Sequence, residues 1–317
     1  MNVMEEIHVE KGEHFVAINE GSNTLYVSNN KSNSITVIDC SSHKIIGRIE
    51  IKRPRKLVVN LNNNTLFVIS DKTDIRLRGT GAKISVIDIL SNKIIETIGE
   101  KEGFSDIGLN EETNIVYATQ PKSKLVWAIN GHTYNVVDKI KTDEKYHVLS
   151  VDSITNRIFL GGEIFLKTVF SQIDLSNNKI SKIGNRRFIT IESLFFSHTH
   201  NKLYFHWNTS GDNVTYSSIN QIDLNSNSFG DEIEFGRCCV YFDSTRNMFY
   251  LADYEKRKIE VLDHKLSTIN SFQYQNRSIW EKLKETYEEM MICIHPKTDV
   301  IYLIGRWSGN ILYAIKE

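Results

Sequence analysis

Seven residues stand at one fixed distance ahead of a recurring Asn or Asp, and most of them carry chemistry. Counting back nine positions from each copy gives His14, Arg55, Ser105, His147, Glu192, Cys238 and Met290. Neutral imidazole and carboxylate suit a divalent metal, so His14, His147 and Glu192 are candidate metal ligands or acid/base groups. Cys238 follows Arg237, and a neighbouring cation lowers a thiol pKa. Lys56, Asp106, Ser193 and Cys239 fall beside the set. Chemistry of this kind is that of a metal-assisted lyase or hydrolase. The competing reading is that these side chains line a polar, water-filled channel and do nothing catalytic.

Either reading requires elements that bring the seven positions together. The anchors are Asn23, Asn64, Asn114, Asn156, Asn201, Asn247 and Asp299, spaced 41, 50, 42, 45, 46 and 52 residues apart. Each opens a short motif with an aromatic three positions on: Tyr26, Phe67, Tyr117, Phe159, Tyr204, Tyr250 and Tyr302. Asn and Asp tolerate left-handed backbone, so each marks a tight turn feeding a strand, and the aromatics suit a packed sheet face. Short alternating runs then end near Asp39, Asp88, Asn130, Asp174, Asp223 and Asp263. These recur in nearly every unit and read as turn residues, not as catalytic acids.

A unit of four strands repeated over 40 to 50 residues is a propeller blade. The expected fold is all-β, a seven-bladed β-propeller with four strands per blade, forming a single domain over residues 1–317. Blades start near 14, 55, 105, 147, 192, 238 and 290. The last unit lacks a fourth strand, which residues 6–10 supply, closing the ring and removing an open edge. Counting back seven from the anchors gives Val16, Leu57, Ile107, Leu149, Leu194, Val240 and Ile292. Counting back five gives Ile18, Val59, Leu109, Val151, Phe196, Phe242 and Ile294. Both sets are wholly apolar, as one shared inner-strand register demands.

The segment Leu25-Tyr26-Val27-Ser28-Asn29-Asn30, followed by Ser34-Ile-Thr-Val-Ile-Asp39, resembles the YVTN-type, surface-layer-like β-propeller repeat. The resemblance covers nearly the whole chain and implies the propeller fold. It implies no particular activity, since one fold hosts many functions.

In a propeller, connections between second and third strands share a face with those joining successive blades. Three long connections fall on this face: Asp71–Ala82, Asn208–Thr215, and Ile279–Glu289, which has helical spacing. Ten of the thirteen arginines map there: Arg53, Arg55, Arg76, Arg78, Arg186, Arg187, Arg237, Arg257, Arg277 and Arg306. Trp207, Trp280 and Trp307 join them at the face or its edge. Arginine's fork suits carboxylates and phosphates, and Arg with Trp is interface-like. The expected role is therefore binding of a small molecule, peptide or protein through Arg55, Arg76, Arg78, Arg237, Trp280 and Trp307. Against it, Asp143, Glu144, Glu255, Glu281 and Glu285 would dilute the field of a merely solvated face.

Composition narrows the partners. A net charge of −1 and the lack of an aromatic-interleaved basic strip argue against nucleic acid. No apolar run is long enough to span a membrane. Cys40, Cys238, Cys239 and Cys293 lack metal-ligand spacing and are too few for a disulfide scaffold. A monomeric cytoplasmic protein with reduced thiols is expected. Among weaker signals, His198 and His200 have a chelating spacing but read as surface turn residues. Gly79-Thr-Gly-Ala lacks the Lys-Ser/Thr of a phosphate loop.

Overall fold

All seven anchors adopt left-handed backbone, with φ between 48° and 60°. A carboxamide or carboxylate side chain lowers the cost of that conformation, which is why the repeat keeps Asn or Asp there. The computed structural model describes residues 2–70, 81–100, 102–165, 167–187, 190–211, 214–236, 238–253, 256, 258–273, 290–305 and 310–316.

Strand β1 is Asn2–His8. Blade one follows as β2 (Val16–Asn19), β3 (Thr24–Asn29), β4 (Ser34–Asp39) and β5 (Lys44–Glu50). Blade two is β6 (Leu57–Asn60), β7 (Thr65–Ser70), β8 (Lys83–Asp88) and β9 (Lys93–Ile98). Blade three is β10 (Asp106–Asn110), β11 (Ile115–Gln120), β12 (Leu125–Asn130) and β13 (Val136–Lys141). Blade four is β14 (Val148–Asp152), β15 (Arg157–Ile164), β16 (Lys167–Asp174) and β17 (Lys179–Arg187). Blade five is β18 (Thr190–Ser197), β19 (Lys202–Gly211), β20 (Val214–Asp223) and β21 (Ser228–Phe235). Blade six is β22 (Cys238–Asp243), β23 (Met248–Asp253), β24 (Lys258–Leu262) and β25 (Thr268–Gln273). Blade seven is β26 (Met290–Ile294), β27 (Ile301–Gly305) and β28 (Ile311–Lys316).

Each sheet has four strands, in chain order for blades one to six, and β1 joins β28 as the outer strand of blade seven. The closing strand thus begins four residues earlier than the sequence suggested. Among the described residues the one helical segment is a 3-10 turn at Pro121–Ser123. This is the seven-bladed β-propeller fold.

The described chain forms two compact units, residues 1–61, 91–93 and 235–317, and residues 62–90 and 94–234. In the first, Leu25, Val27 and Ile38 of blade one pack with Ile7, Tyr302, Ile304 and Leu312 of blade seven. Blade seven's other face meets Cys239, Ala252 and Ile259 of blade six. In the second, blades three and four share Val126, Ile140, Leu149 and Leu160, while blades four and five share Phe159, Phe170, Leu194 and Phe205. Six of the seven repeat aromatics are buried and Tyr250 is half-buried. Each fully buried aromatic contributes about 1.5–3 kcal/mol.

The expected inner-strand register holds within the sheets. The position seven before the anchor pairs with the one four after it: Val16 with Val27, Ile107 with Ala118, and Leu149 with Leu160. Leu194 with Phe205, Val240 with Leu251, and Ile292 with Leu303 repeat the relation. One expected loop is instead a hairpin. Asn208–Thr215 continues β19 and β20, which pair as far as Gly211 with Val214.

Candidate functional site

The blade-one candidate is held by the strand behind it. His14 is fully buried, and its Nδ1 lies 2.9 Å from the Ser28 carbonyl oxygen. A carbonyl only accepts, so Nδ1 carries the proton of this bond. Phe15 N donates to Ser28 Oγ at 2.8 Å, and Ser28 N to Phe15 O at 2.8 Å. The segment entering blade one is therefore stitched to β3 on both sides of His14.

Arg55 is committed within the same unit. Its Nη2 lies 3.1 Å from Oε1 of buried Glu13, and its guanidinium stands over the Phe15 ring at 5.7 Å. A buried carboxylate needs a cation, so much of the charge expected to meet a ligand is spent on Glu13. Arg186 is similarly employed, 3.1 Å from Glu232 and over the Phe229 ring. Of the acids foreseen as diluting the arginines, Asp143 faces Lys182 at 3.7 Å and Glu144 faces Lys124 at 3.4 Å, and Glu255, Glu281 and Glu285 lie outside the described residues.

In the second unit, Ser105 and His147 are brought together. Ser105 Oγ donates to the His147 carbonyl oxygen at 2.7 Å, and His147 N donates to Gly161 O at 2.9 Å. Buried Asp106 works beside them: one carboxylate oxygen accepts Ile107 N at 2.8 Å and the other accepts Leu149 N at 3.1 Å. The second bond crosses from blade three to blade four, so this carboxylate joins their inner strands. His147 itself is half-buried.

Glu192 lies at an irregularity in its strand. The β18–β19 register shifts between Ile191 and Ser193, which makes Glu192 the extra residue of a β-bulge. A bulge re-aims the side chain it carries. Counting from the anchor assumes one residue per step and cannot detect this.

Cys238 and Cys239 are buried in β22, and all four cysteines are free thiols. Burial pushes the thiols of Cys40 and Cys293 up, away from the thiolate. Arg76, Arg78, Arg237, Trp280 and Trp307 lie outside the described residues, as do Arg257, Arg277, Arg306 and residues 279–289. Among the described residues, no group of three His, Cys, Asp or Glu side chains is arranged to hold a metal ion.

The turn carboxylates behave as expected. Asp39 Oδ1 accepts the amides of Ser41 and Ser42, both at 2.7 Å, and these bonds hold its carboxyl below the usual range. Asp174, Asp223 and Asp263 cap their turns the same way, as does the Asn130 side chain. His198 and His200 take different partners: His198 lies 3.5 Å from Asp152, and His200 3.1 Å from Ser197 Oγ. Glu13 escaped sequence reasoning, although an acid directly ahead of His14 was the available signal.

No family model and no curated protein matches the sequence. A solved structure of Kuenenia stuttgartiensis hydrazine synthase is similar to it, with a TM-score of 0.72 at 13% identity, covering 100% of this chain and 97% of that one. Identity this low carries the architecture alone, and the architecture is that of a seven-bladed β-propeller.

Proposed function

We propose that the chain is a single propeller domain that acts as a non-catalytic binding module. It would hold a protein, peptide or anionic small molecule at the face bearing its second-to-third strand connections. The observation that carries this reading is the lengthening of two hairpins. Strands β3, β4, β7, β8, β11 and β12 have 6 residues each, whereas β15 and β16 have 8 and β19 and β20 have 10. The β15–β16 tip presents Phe165, which is 93% exposed. Ordered strand carried beyond the core, ending in an exposed aromatic, suits recognition. The repeat resemblance to YVTN-type propellers and the arginines and tryptophans of the long connections belong to the same reading. So does a monomeric, cytoplasmic setting. Among the described residues no helix is long and apolar enough to cross a membrane.

The test compares the native chain with Phe165→Asp and with Arg76→Ala/Arg78→Ala. Affinity capture scored by mass spectrometry, and a thermal-shift panel of carboxylates and phosphates, should each give signals that the variants lose. A partner or ligand retained equally by both variants refutes the assignment to this face.

One observation favours a second reading, a metal-assisted lyase or hydrolase using His14, His147, Glu192 and Cys238. The Nδ1–H to carbonyl bond of His14 is the arrangement that orients metal-ligating histidines. Elemental analysis of purified protein separates the two. A stoichiometric divalent metal lost in His147→Ala supports the enzyme, and native protein that takes up no added divalent metal refutes it.

A further inference from the structure

In blades one, three, four and six the inner strand ends four residues before its anchor, and the side chain there caps the turn to the next strand. Asn19 Oδ1 accepts Ser22 N at 2.9 Å, and Asn110 Oδ1 accepts Thr113 N at 3.1 Å. Asp152 Oδ1 accepts Thr155 N at 3.3 Å. Asp243 Oδ1 accepts Thr245 N at 2.9 Å and Arg246 N at 3.0 Å. In blade seven the same position is His295, where Nδ1 accepts Lys297 N at 3.3 Å. An oxygen cap has been replaced by an imidazole, which can accept only while that nitrogen is unprotonated.

The surroundings make this substitution consequential. His295 is buried, and its Nε2, which must carry the proton when Nδ1 accepts, has no partner. Thr298 Oγ1 in the same turn is also buried without one. Both neighbouring blades grip this turn within the first unit. Arg246 of blade six donates to Pro296 O at 2.6 Å and meets Asp299 Oδ1 at 2.6 Å. From the turn, Lys297 Nζ donates to Glu20 O of blade one at 3.0 Å. The charged groups around His295 are Glu20 on blade one, Lys297 and Asp299 on its own turn, and Asp243 and Arg246 on blade six. Tyr241 packs on the adjoining core beside Cys293.

We propose that the 295–299 turn is an acid-sensitive latch, opened when His295 is protonated and loses its cap to Lys297 N. The imidazolium turns Nδ1 from acceptor to donor, facing the Lys297 amide N–H with a second N–H. The turn then loosens, and with it the contacts to Arg246 and Glu20. Burial already holds the imidazole pKa below its ordinary value, with Glu20 and Asp299 pulling the other way and Lys297 reinforcing burial. A free histidine titrates at about 6.5. The unfolded chain therefore takes up a proton that the closed turn resists. The latch's contribution is complete above about pH 6.5 and is lost as pH falls through the folded value.

The experiment is thermal unfolding of the full chain and of His295→Asn at about pH 7.5 and about pH 5, within the histidine range. Asn supplies the oxygen cap that Asn19 and Asn110 already use. The native protein should lose at least about 2 °C more than His295→Asn on acidification. His132, exposed on the turn after β12, is the control, and His132→Gln should keep the native acid loss. Equal acid losses in native protein and His295→Asn overturn the proposal. Should His295→Asn fail to fold, hydrogen exchange on the native chain decides. Residues 297–300 should lose protection in acid while the Asp243-capped turn at 244–247 keeps it, and parallel behaviour of the two overturns the latch.

Discussion

Replacing Gly12 by alanine should destabilise the protein by about 2–4 kcal/mol, through space alone. A Cβ on Gly12 would stand 2.6 Å from Asn30 N, 2.8 Å from Lys31 N and 2.9 Å from the Asn29 carbonyl carbon. All three are backbone atoms and cannot swing aside. Gly12 does not have positive φ, so alanine suffers no conformational penalty there. In a tolerant site the substitution would stabilise by about 0.4–1 kcal/mol through the unfolded chain. Relief requires the segment entering blade one to lift off β3. That strains the Asn30 N to Glu13 O bond at 3.2 Å and the Ser32 Oγ to Lys11 O bond at 2.8 Å. Two such bonds at about 0.5–1.5 kcal/mol each, added to overpacking of about 1–3 kcal/mol, exceed the entropic gain. The assay is chemical denaturation read by far-UV circular dichroism, with Gly47→Ala as control. A Cβ at Gly47 would meet nothing closer than Asn92 Nδ2 at 3.4 Å. If Gly12→Ala and Gly47→Ala have the same midpoint, the steric reasoning is wrong.

Three further outcomes follow from the buried polar groups. Asn220 is fully buried with neither amide atom partnered, so Asn220→Leu should stabilise by about 1–2 kcal/mol. Destabilisation in the same denaturation assay would mean that an ordered water satisfies the amide. Asp106→Ala strips the acceptor from Leu149 N and should cost about 1–3 kcal/mol, with hydrogen exchange rising first at the start of β14. An unchanged midpoint would refute the bridging role of that carboxylate. A chromogenic disulfide at about pH 8 should label none of the four buried thiols quickly, and all four after denaturation. Fast labelling of Cys238 in the native protein would instead revive its role as a nucleophile.

The blades were legible because their anchors are a backbone requirement written in side chains. A left-handed residue opens β3, β7, β11, β15, β19, β23 and β27, and Asn or Asp meets that need each time. Turns between third and fourth strands were harder to read. Asn92, Asn178 and Asn227 announce the left-handed position, but His43, Tyr134 and Leu266 occupy it in blades one, three and six. Tertiary contacts offset the cost there: Tyr134 packs edge-on to Phe67, and Leu266 is buried. The candidate site was legible as a set of positions but not as chemistry. No count along the chain reveals that Arg55 neutralises Glu13, that Asp106 reaches the next blade, or that Glu192 falls in a bulge.

The glycines hold a further signal that counting could have found. Gly12 lies two residues before His14 and presses on the end of β3. Gly162, near the end of β15, would put a Cβ 2.1 Å from Lys145 O, and Lys145 lies two residues before His147. The same crossing of an entering segment over a second strand recurs in blades one and four. One participant must lack a side chain, and it is the entering segment in blade one and the second strand in blade four.

The pairing of β1 with β28 also sets a timetable for biosynthesis. His8 lies opposite Ile311, so about 300 residues must be polymerised before the first strand meets its neighbour. At roughly 5–20 residues per second, that wait lasts about 15–60 s on the ribosome. Throughout it the amino-terminal segment carries Ile7 and Val9 without the chain that will cover them. The last sheet is therefore completed only after β28 has been made, and the delay leaves this segment open to chaperones or to premature pairing with another copy.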